Sequence, residues 1–133
     1  MQYKFSLQTN NDACFYEITE NVRRAVRESG AVNGIAVVYC PHTTAGITIN
    51  ENADPDVLWD MCGELNAVFE RHTHYTHAEG NSDAHVKSSL VGVSETLLID
   101  CGKLLLGTWQ GVYFCEFDGG HPRTYYVKIL CGA

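Results

Sequence analysis

Apolar and polar positions alternate in the opening segment, with Tyr3, Phe5 and Leu7 on one side of residues 3–8. A period of two predicts a half-buried strand. Asn10-Asn11-Asp12 reads as a turn, and residues 14–18 as a second strand. The period then changes to that of a helix. Val22, Ala25 and Val26 form one face, with Arg23, Arg24 and Arg27 on the other. Thr19 is placed to cap this helix, and Gly30 stops it after about Ser29. Residues 34–40 form a near-continuous apolar run with Ile35, Val37 and Val38, which predicts a strand buried on both faces.

Residues 45–50 alternate again, setting Ala45, Ile47 and Ile49 against Gly46, Thr48 and Asn50. Asp54-Pro55 then signals a helix start, a carboxylate cap followed by proline at the first helical position. The helix runs to about Arg71, with Val57, Leu58, Met61, Cys62, Leu65, Val68 and Phe69 on one face. Residues 72–84 are polar and read as a long loop, and residues 85–91 as a short helix. Four more strands are expected at 96–99, 104–106, 112–117 and 124–130, separated by turns rich in glycine. About eight strands and two principal helices, without regular β-α alternation, predict an α+β fold. The 133 residues fit one domain, 1–133.

Charge narrows the function classes. Nine basic and sixteen acidic residues give a net charge of −7. No basic run extends beyond Arg23-Arg24, so a duplex nucleic-acid surface is not expected. No apolar stretch approaches the roughly 18–20 residues of a membrane span. The N-terminal residues show no secretory signal pattern, which places the expectation in the cytoplasm. Six cysteines are present without any C-x-x-C pair. In that compartment all six are expected reduced and mostly buried, with Cys62 on the apolar face of its helix.

Candidate chemistry concentrates in three places. Four of the six histidines, His72, His74, His77 and His85, fall within one 14-residue window that also holds Glu79 and Asp83. Imidazoles with carboxylates suit zinc and related ions, although surface solvation is the simpler reading for His72, His74 and His121. His42 to Pro55 packs polar groups at the junctions of two strands and a helix N-terminus. Asp54 there serves either as a helix cap or as a site residue. Gly107-Thr108-Trp109-Gln110-Gly111 is either a tight turn around a core aromatic or a stacking wall, with Gln110 reading the edge of a flat heterocycle. Lys87 and Arg123 are candidate phosphate partners or plain surface charges, and Glu116 alternates out of an apolar strand.

Together these segments resemble the YjbQ family of small bacterial and archaeal proteins. The resemblance is carried by His42-Thr43-Thr44-Ala45, by Asn50-Glu51-Asn52 with Asp54-Pro55, by residues 79–89, and by residues 107–111. It spans nearly the whole chain. It implies sandwiched antiparallel sheets with two principal helices, a homotrimer, and a site near subunit contacts able to hold a divalent ion, zinc or magnesium. It also implies a thiamin phosphate synthase-like activity on small phosphorylated substrates. Carried over by position, the catalytic candidates are Glu51, Asp54, Glu79 and Lys87. The substrate-binding candidates are Asn81, Asp83, Thr108, Trp109, Gln110 and Glu116.

His42, His77 and His85 are the expected metal ligands. His42 ends a buried strand, and the other two bracket a loop that can fold over it. Three imidazoles leave a fourth position for water or substrate. Glu51 or Glu79 would then act as base or as a support for the ligands. The competing arrangement has these histidines bound to carboxylates without a metal. Three functions stay open at this level: condensation of a pyrimidine diphosphate with a thiazole phosphate, metal-dependent hydrolysis, and non-catalytic metal or ligand binding by a trimer.

Overall fold

A computed structural model describes residues 1–71 and 74–132. Its elements are β1 (Gln2–Gln8), β2 (Phe15–Glu17), α1 (Thr19–Ser29), β3 (Gly34–Tyr39), β4 (Ala45–Glu51), α2 (Pro55–Val68), α3 (Ser82–Val91), β5 (Ser94–Asp100), β6 (Lys103–Leu104), β7 (Gln110–Glu116) and β8 (Pro122–Cys131). Two antiparallel sheets form, one in the order β1-β8-β3-β5-β6 and one in the order β2-β7-β4. The α+β expectation holds.

The inner faces of both sheets supply the core. Ala36 and Val38 of β3, Leu97 and Ile99 of β5, Tyr125 and Val127 of β8, Ile47 of β4 and Phe114 of β7 meet Val22, Ala25 and Val26 of α1. Their spacing of two along each strand and of three or four along the helix is the pattern the sequence shows. β3 departs from expectation, because only one of its faces is buried. Ile35 and Val37 are half-buried and Tyr39 is exposed. On that outer face Ile35 stands in register with Leu98 and Leu130, and Tyr39 with Tyr126. The unbroken apolar run therefore serves a core on one side and an uncovered apolar stripe on the other.

The helix ends follow local chemistry with two adjustments. Asp54 caps α2 by accepting the Asp56 amide at 2.9 Å. Gly30 closes α1 in the left-handed conformation at φ 71°. Thr19 is not the cap of α1. It is the first helical residue, and its hydroxyl instead accepts the Val112 amide at 2.9 Å and donates to Glu17 at 2.8 Å. α3 begins at Ser82, three residues before the expected start. α2 has no fully buried residue, and Val68, expected on its inner face, is exposed.

The cysteines also depart from expectation. Cys14 and Cys62 form a disulfide with their Cα atoms 5.8 Å apart, across a sequence separation of 48. The inward face of α2 meets the segment before β2 rather than the central core, so Cys62 finds a second sulfur there. Cys40 and Cys115 are buried free thiols, as expected, whereas Cys101 and Cys131 are exposed. Cys101 sits at φ 51° in the turn between β5 and β6.

Candidate functional site

α3 is seated on β4 by a buried hydrogen bond from the Ser88 hydroxyl to the Ala45 carbonyl at 2.7 Å. The amide of Ile47 donates to the Gly92 carbonyl at 3.0 Å just beyond the helix. From this seat α3 presents Asp83 and Lys87, one turn apart. Lys87 is 3% exposed and Asp83 5%. The Lys87 ammonium lies 3.3 Å from Asp83 Oδ2 and donates to Asn66 Oδ1 of α2 at 2.7 Å. A charge so buried needs such partners, since an isolated one would lose its proton.

These residues line a cavity of about 570 Å³ between α2, α3, the loop before β2 and the end of β7. Arg71, Glu116, Asp118 and Trp59 line it as well. Asp118 joins the parts: its Oδ2 accepts from Asn81 at 2.8 Å and its Oδ1 from Arg71 at 3.3 Å. Burial pushes the Asp118 carboxyl up. The Asn81 hydrogen bond and the charges of Arg71 and His121 outweigh that and hold it below the usual carboxylate range.

Behind Asp118 lies a buried ion pair. Arg123 donates to Glu116 through Nε at 2.7 Å and Nη2 at 2.5 Å. The hydroxyl of Thr9 and the amide of Asp118 also donate to Glu116, while Arg123 reaches Thr44 Oγ1 at 2.9 Å. Burial alone would raise Glu116, but these hydrogen bonds and the Arg123 charge lower it. Arg123 in turn is raised: burial acts against its charge, and its bonds to Glu116 overcome that. Glu116 is thus a clamped internal carboxylate rather than an outward-facing one. Two oxygens in this region, Asn81 Oδ1 and Asp83 Oδ1, are buried without a hydrogen-bond partner.

The remaining candidates stand elsewhere. Glu51 and Asp54 line a separate cavity of about 240 Å³ at the start of α2, with the Asp54 amide donating to Glu51 at 3.2 Å. Trp109 is exposed, and its carbonyl accepts from the Asn52 amide at 2.8 Å. Gln110 closes its own turn by accepting the Gly107 amide at 2.8 Å, and Thr108 is exposed. Residues 107–111 therefore form the tight turn of the two readings, with the Trp109 ring in solvent rather than in a core.

His42 and His85 line a third cavity, of about 600 Å³, with Ser88 and Ser89. The His77 and His85 rings meet edge to face at 5.6 Å, and exposed Glu79 lies 3.7 Å from His77. His42 Nε2 sits against the backbone of Thr124, 3.0 Å from its amide nitrogen and 3.1 Å from its carbonyl oxygen. Burial, then the Arg123 charge, keeps this imidazole below its ordinary pKa. Among the described residues no group of three or more His, Cys, Asp or Glu side chains could hold one metal ion. The set of His42, His77 and His85 is accordingly not gathered around one point within a single chain, because the backbone of β8 already engages His42. His121 stands 3.6 Å from Asp118, and the His74 ring lies tilted against Tyr75 with centroids 4.6 Å apart. His72 lies outside the described residues.

Asn66, Arg71 and Asp118 were not singled out from the sequence. Asn66 sits on a helix whose pattern speaks only of packing, and Asp118 in a turn. Only the charge of Arg71 at the end of a helix, in an acidic chain, carried a signal.

Residues 3–132 match the family described as UPF0047 protein YjbQ-like. The chain belongs to the YjbQ family. A UPF0047 protein of Methanocaldococcus jannaschii is 53% identical over 130 residues, covering 98% of this chain and 94% of the relative. YugU of Bacillus subtilis is 53% identical over 115 residues, covering 86% and 87%. The crystal structure of a YjbQ/UPF0047 family protein from Clostridium acetobutylicum superposes with a TM-score of 0.94 at 57% identity, covering 96% of this chain and 99% of that one. A protein from Sulfolobus solfataricus keeps the same TM-score, 0.94, at 27% identity, covering 99% and 97%. Both share the α+β architecture. No helix among the described residues is long and apolar enough to cross a membrane.

Proposed function

We propose that this YjbQ family member is an enzyme acting on a small phosphorylated substrate in the cavity over Asp83 and Lys87. The observation that carries this reading is the buried Lys87 ammonium. It has three donors, of which Asp83 and Asn66 take two. The third is left for a substrate oxygen. Arg71, on the same cavity, adds a second cation suited to a diphosphate. The partnerless Asp83 Oδ1 is an acceptor suited to an amino group.

The family resemblance favours a thiamin phosphate synthase-like condensation. The thiazole nitrogen forms a bond to the pyrimidine methylene carbon. The bond from that carbon to the diphosphate oxygen breaks, and the diphosphate leaves with the electron pair. Lys87 and Arg71 would hold the departing charge, the kind of preorganised stabilisation that contributes most in a partly dry site. The divalent ion expected from the sequence has no three-residue seat among the described residues, so no step here is routed through one. Lys87→Ala should lower kcat/KM for the condensation by about 100-fold or more, with Arg71→Ala a milder second variant whose fold is not at risk. Steady-state assays with and without added magnesium or zinc check this. Equal turnover by wild type and both variants would overturn the site. Hydrolysis of the diphosphate without condensation would overturn the reaction and leave a hydrolase.

We infer that the chain also assembles as a homotrimer through the outer face of the five-stranded sheet. The apolar stripe of Ile35, Leu98, Leu130 and Tyr39 supports this, with Leu98 55% exposed. Light scattering should give about three times the 14.8 kDa chain mass. Leu98→Glu should yield monomers. A wild-type monomer at micromolar concentration would contradict the assembly.

A further inference from the structure

We propose that the Cys14–Cys62 disulfide is a reversible redox switch on the Lys87 cavity, opened and remade by exchange with low-molecular-weight thiols. Its effect on ligand binding rests on the reading of that cavity as an active site. Its effect on Lys87 itself does not.

Three observations converge. Both cysteines line the same cavity as Asp83 and Lys87, and both are only half-buried, so a small thiol has a route to the bond. A continuous chain of contacts links the sulfur to the charge. Asn66 Nδ2 donates to Cys62 Sγ at 3.7 Å, Asn66 Oδ1 accepts from Lys87 Nζ at 2.7 Å, and Lys87 pairs with Asp83 at 3.3 Å. Lastly, α2 has no fully buried residue, and Trp59 on it is 76% exposed. The disulfide is the one covalent tie holding the middle of this helix to the segment before β2. In a reducing compartment such a bond is characteristically transient and regulatory.

The exchange balances as follows. A thiolate attacks the disulfide, the S–S bond breaks, and a mixed disulfide forms with one protein sulfur while the other leaves as thiolate. A second small thiolate then displaces the remaining protein sulfur. In sum, two small thiols are oxidised to their disulfide, and Cys14 and Cys62 gain two electrons and two protons. With the tie open, α2 is held by its half-buried face alone. Asn66 then no longer fixes Lys87, and the ammonium becomes more exposed within the cavity.

The test uses the full chain equilibrated in dithiothreitol buffers of graded reducing strength. Thiol counts on unfolded protein should rise from four to six. In parallel, Lys87 is labelled by reductive methylation and read by peptide mass spectrometry, and inorganic pyrophosphate binding is measured by calorimetry. Opening the bond should raise Lys87 labelling and weaken pyrophosphate binding, each about tenfold, the scale of one hydrogen bond to a charged group. Cys62→Ser should behave as the reduced protein at every setting, whereas Cys101→Ser should keep the full response. Six thiols after exposure to oxidised dithiothreitol would overturn the proposal, because the bond would not form. Four to six thiols with unchanged Lys87 labelling would also overturn it, leaving a structural staple. Labelling that responds while pyrophosphate binds in neither state supports the switch and removes the phosphorylated-substrate reading instead.

Discussion

Replacing Arg123 with methionine should destabilise the fold by about 3–5 kcal/mol. Arg123 and Glu116 are both buried, and the guanidinium grips the carboxylate through two nitrogens. Methionine preserves much of the volume but leaves Glu116 charged in the interior, with only the Thr9 hydroxyl and the Asp118 amide donating to it. The large term is the unpaired charge, not the worth of the pair. The double variant Arg123→Met with Glu116→Leu should therefore recover much of the loss. Urea unfolding midpoints at constant slope would measure both. A single-variant loss below about 1 kcal/mol would mean that water reaches Glu116 and screens it.

The same network sets the acid limit of the protein. Glu116 and Asp118 both titrate below the ordinary carboxylate range in the folded chain, despite burial, because hydrogen bonds and nearby cations favour their charged forms. A carboxyl lowered on folding adds stability that is complete above its unfolded value, about 4. That stability is lost as pH falls through the lowered folded value. His42 acts in the same direction: burial and Arg123 lower its pKa, so the unfolded chain takes up this proton first, from about pH 6.5 downward. Stability should thus decline gently below neutrality and steeply in acid. In Arg123→Met burial instead raises the Glu116 carboxyl, so acid protonates it in the fold and relieves the unpaired charge. The stability gap to wild type should narrow as pH falls, which thermal melts across a pH series would reveal.

The fold was legible wherever one periodicity governed a segment. Strands β1 and β8 and helix α1 emerge from spacing alone, since each buries a single face. Ambiguity entered where a pattern serves two partners. β3 is apolar on both sides, and spacing does not tell a core from an uncovered stripe. α2 looks amphipathic, yet its inner face meets a loop and a disulfide. The candidate site was legible at Asp83, Lys87 and Glu116, which sit on regular elements and share the cavity. Glu51, Asp54 and Trp109 were singled out with them, but the sheet holds them at another cavity or in solvent. Sequence proximity to a motif carries no information about which side of a sheet a residue faces after a turn. Asn66 and Asp118 were silent because an amide on a helix and a carboxylate in a turn are ordinary until the fold brings charges beside them.

Gly46→Ala should destabilise the protein by about 3 kcal/mol, combining overpacking with a weakened backbone hydrogen bond, and should disable the Lys87 cavity. Gly46 lies on β4 where α3 ends. A Cβ there would stand 2.5 Å from the Gly92 carbonyl oxygen and 3.5 Å from Val91 Cγ1. The first neighbour is backbone, so no rotamer change relieves the contact. The same carbonyl accepts from the Ile47 amide, and one turn earlier Ser88 is bonded to Ala45. Moving Gly92 away from the added methyl strains both ties and lifts α3 from the sheet. Asp83 and Lys87 ride on that helix, so the Lys87–Asn66 contact lengthens and pyrophosphate affinity should fall about tenfold or more. Gly63→Ala is the matched comparison. It lies in the middle of α2 with open space where its Cβ would go, and it should gain about 0.5–1 kcal/mol from helix propensity. Unfolding curves on the two variants separate a general intolerance of alanine from this close approach, and calorimetry on Gly46→Ala reads the cavity, which Gly63 itself lines. A Gly46→Ala protein with wild-type stability and unchanged binding would show that α3 adjusts freely on β4, and that the cavity does not depend on this seat.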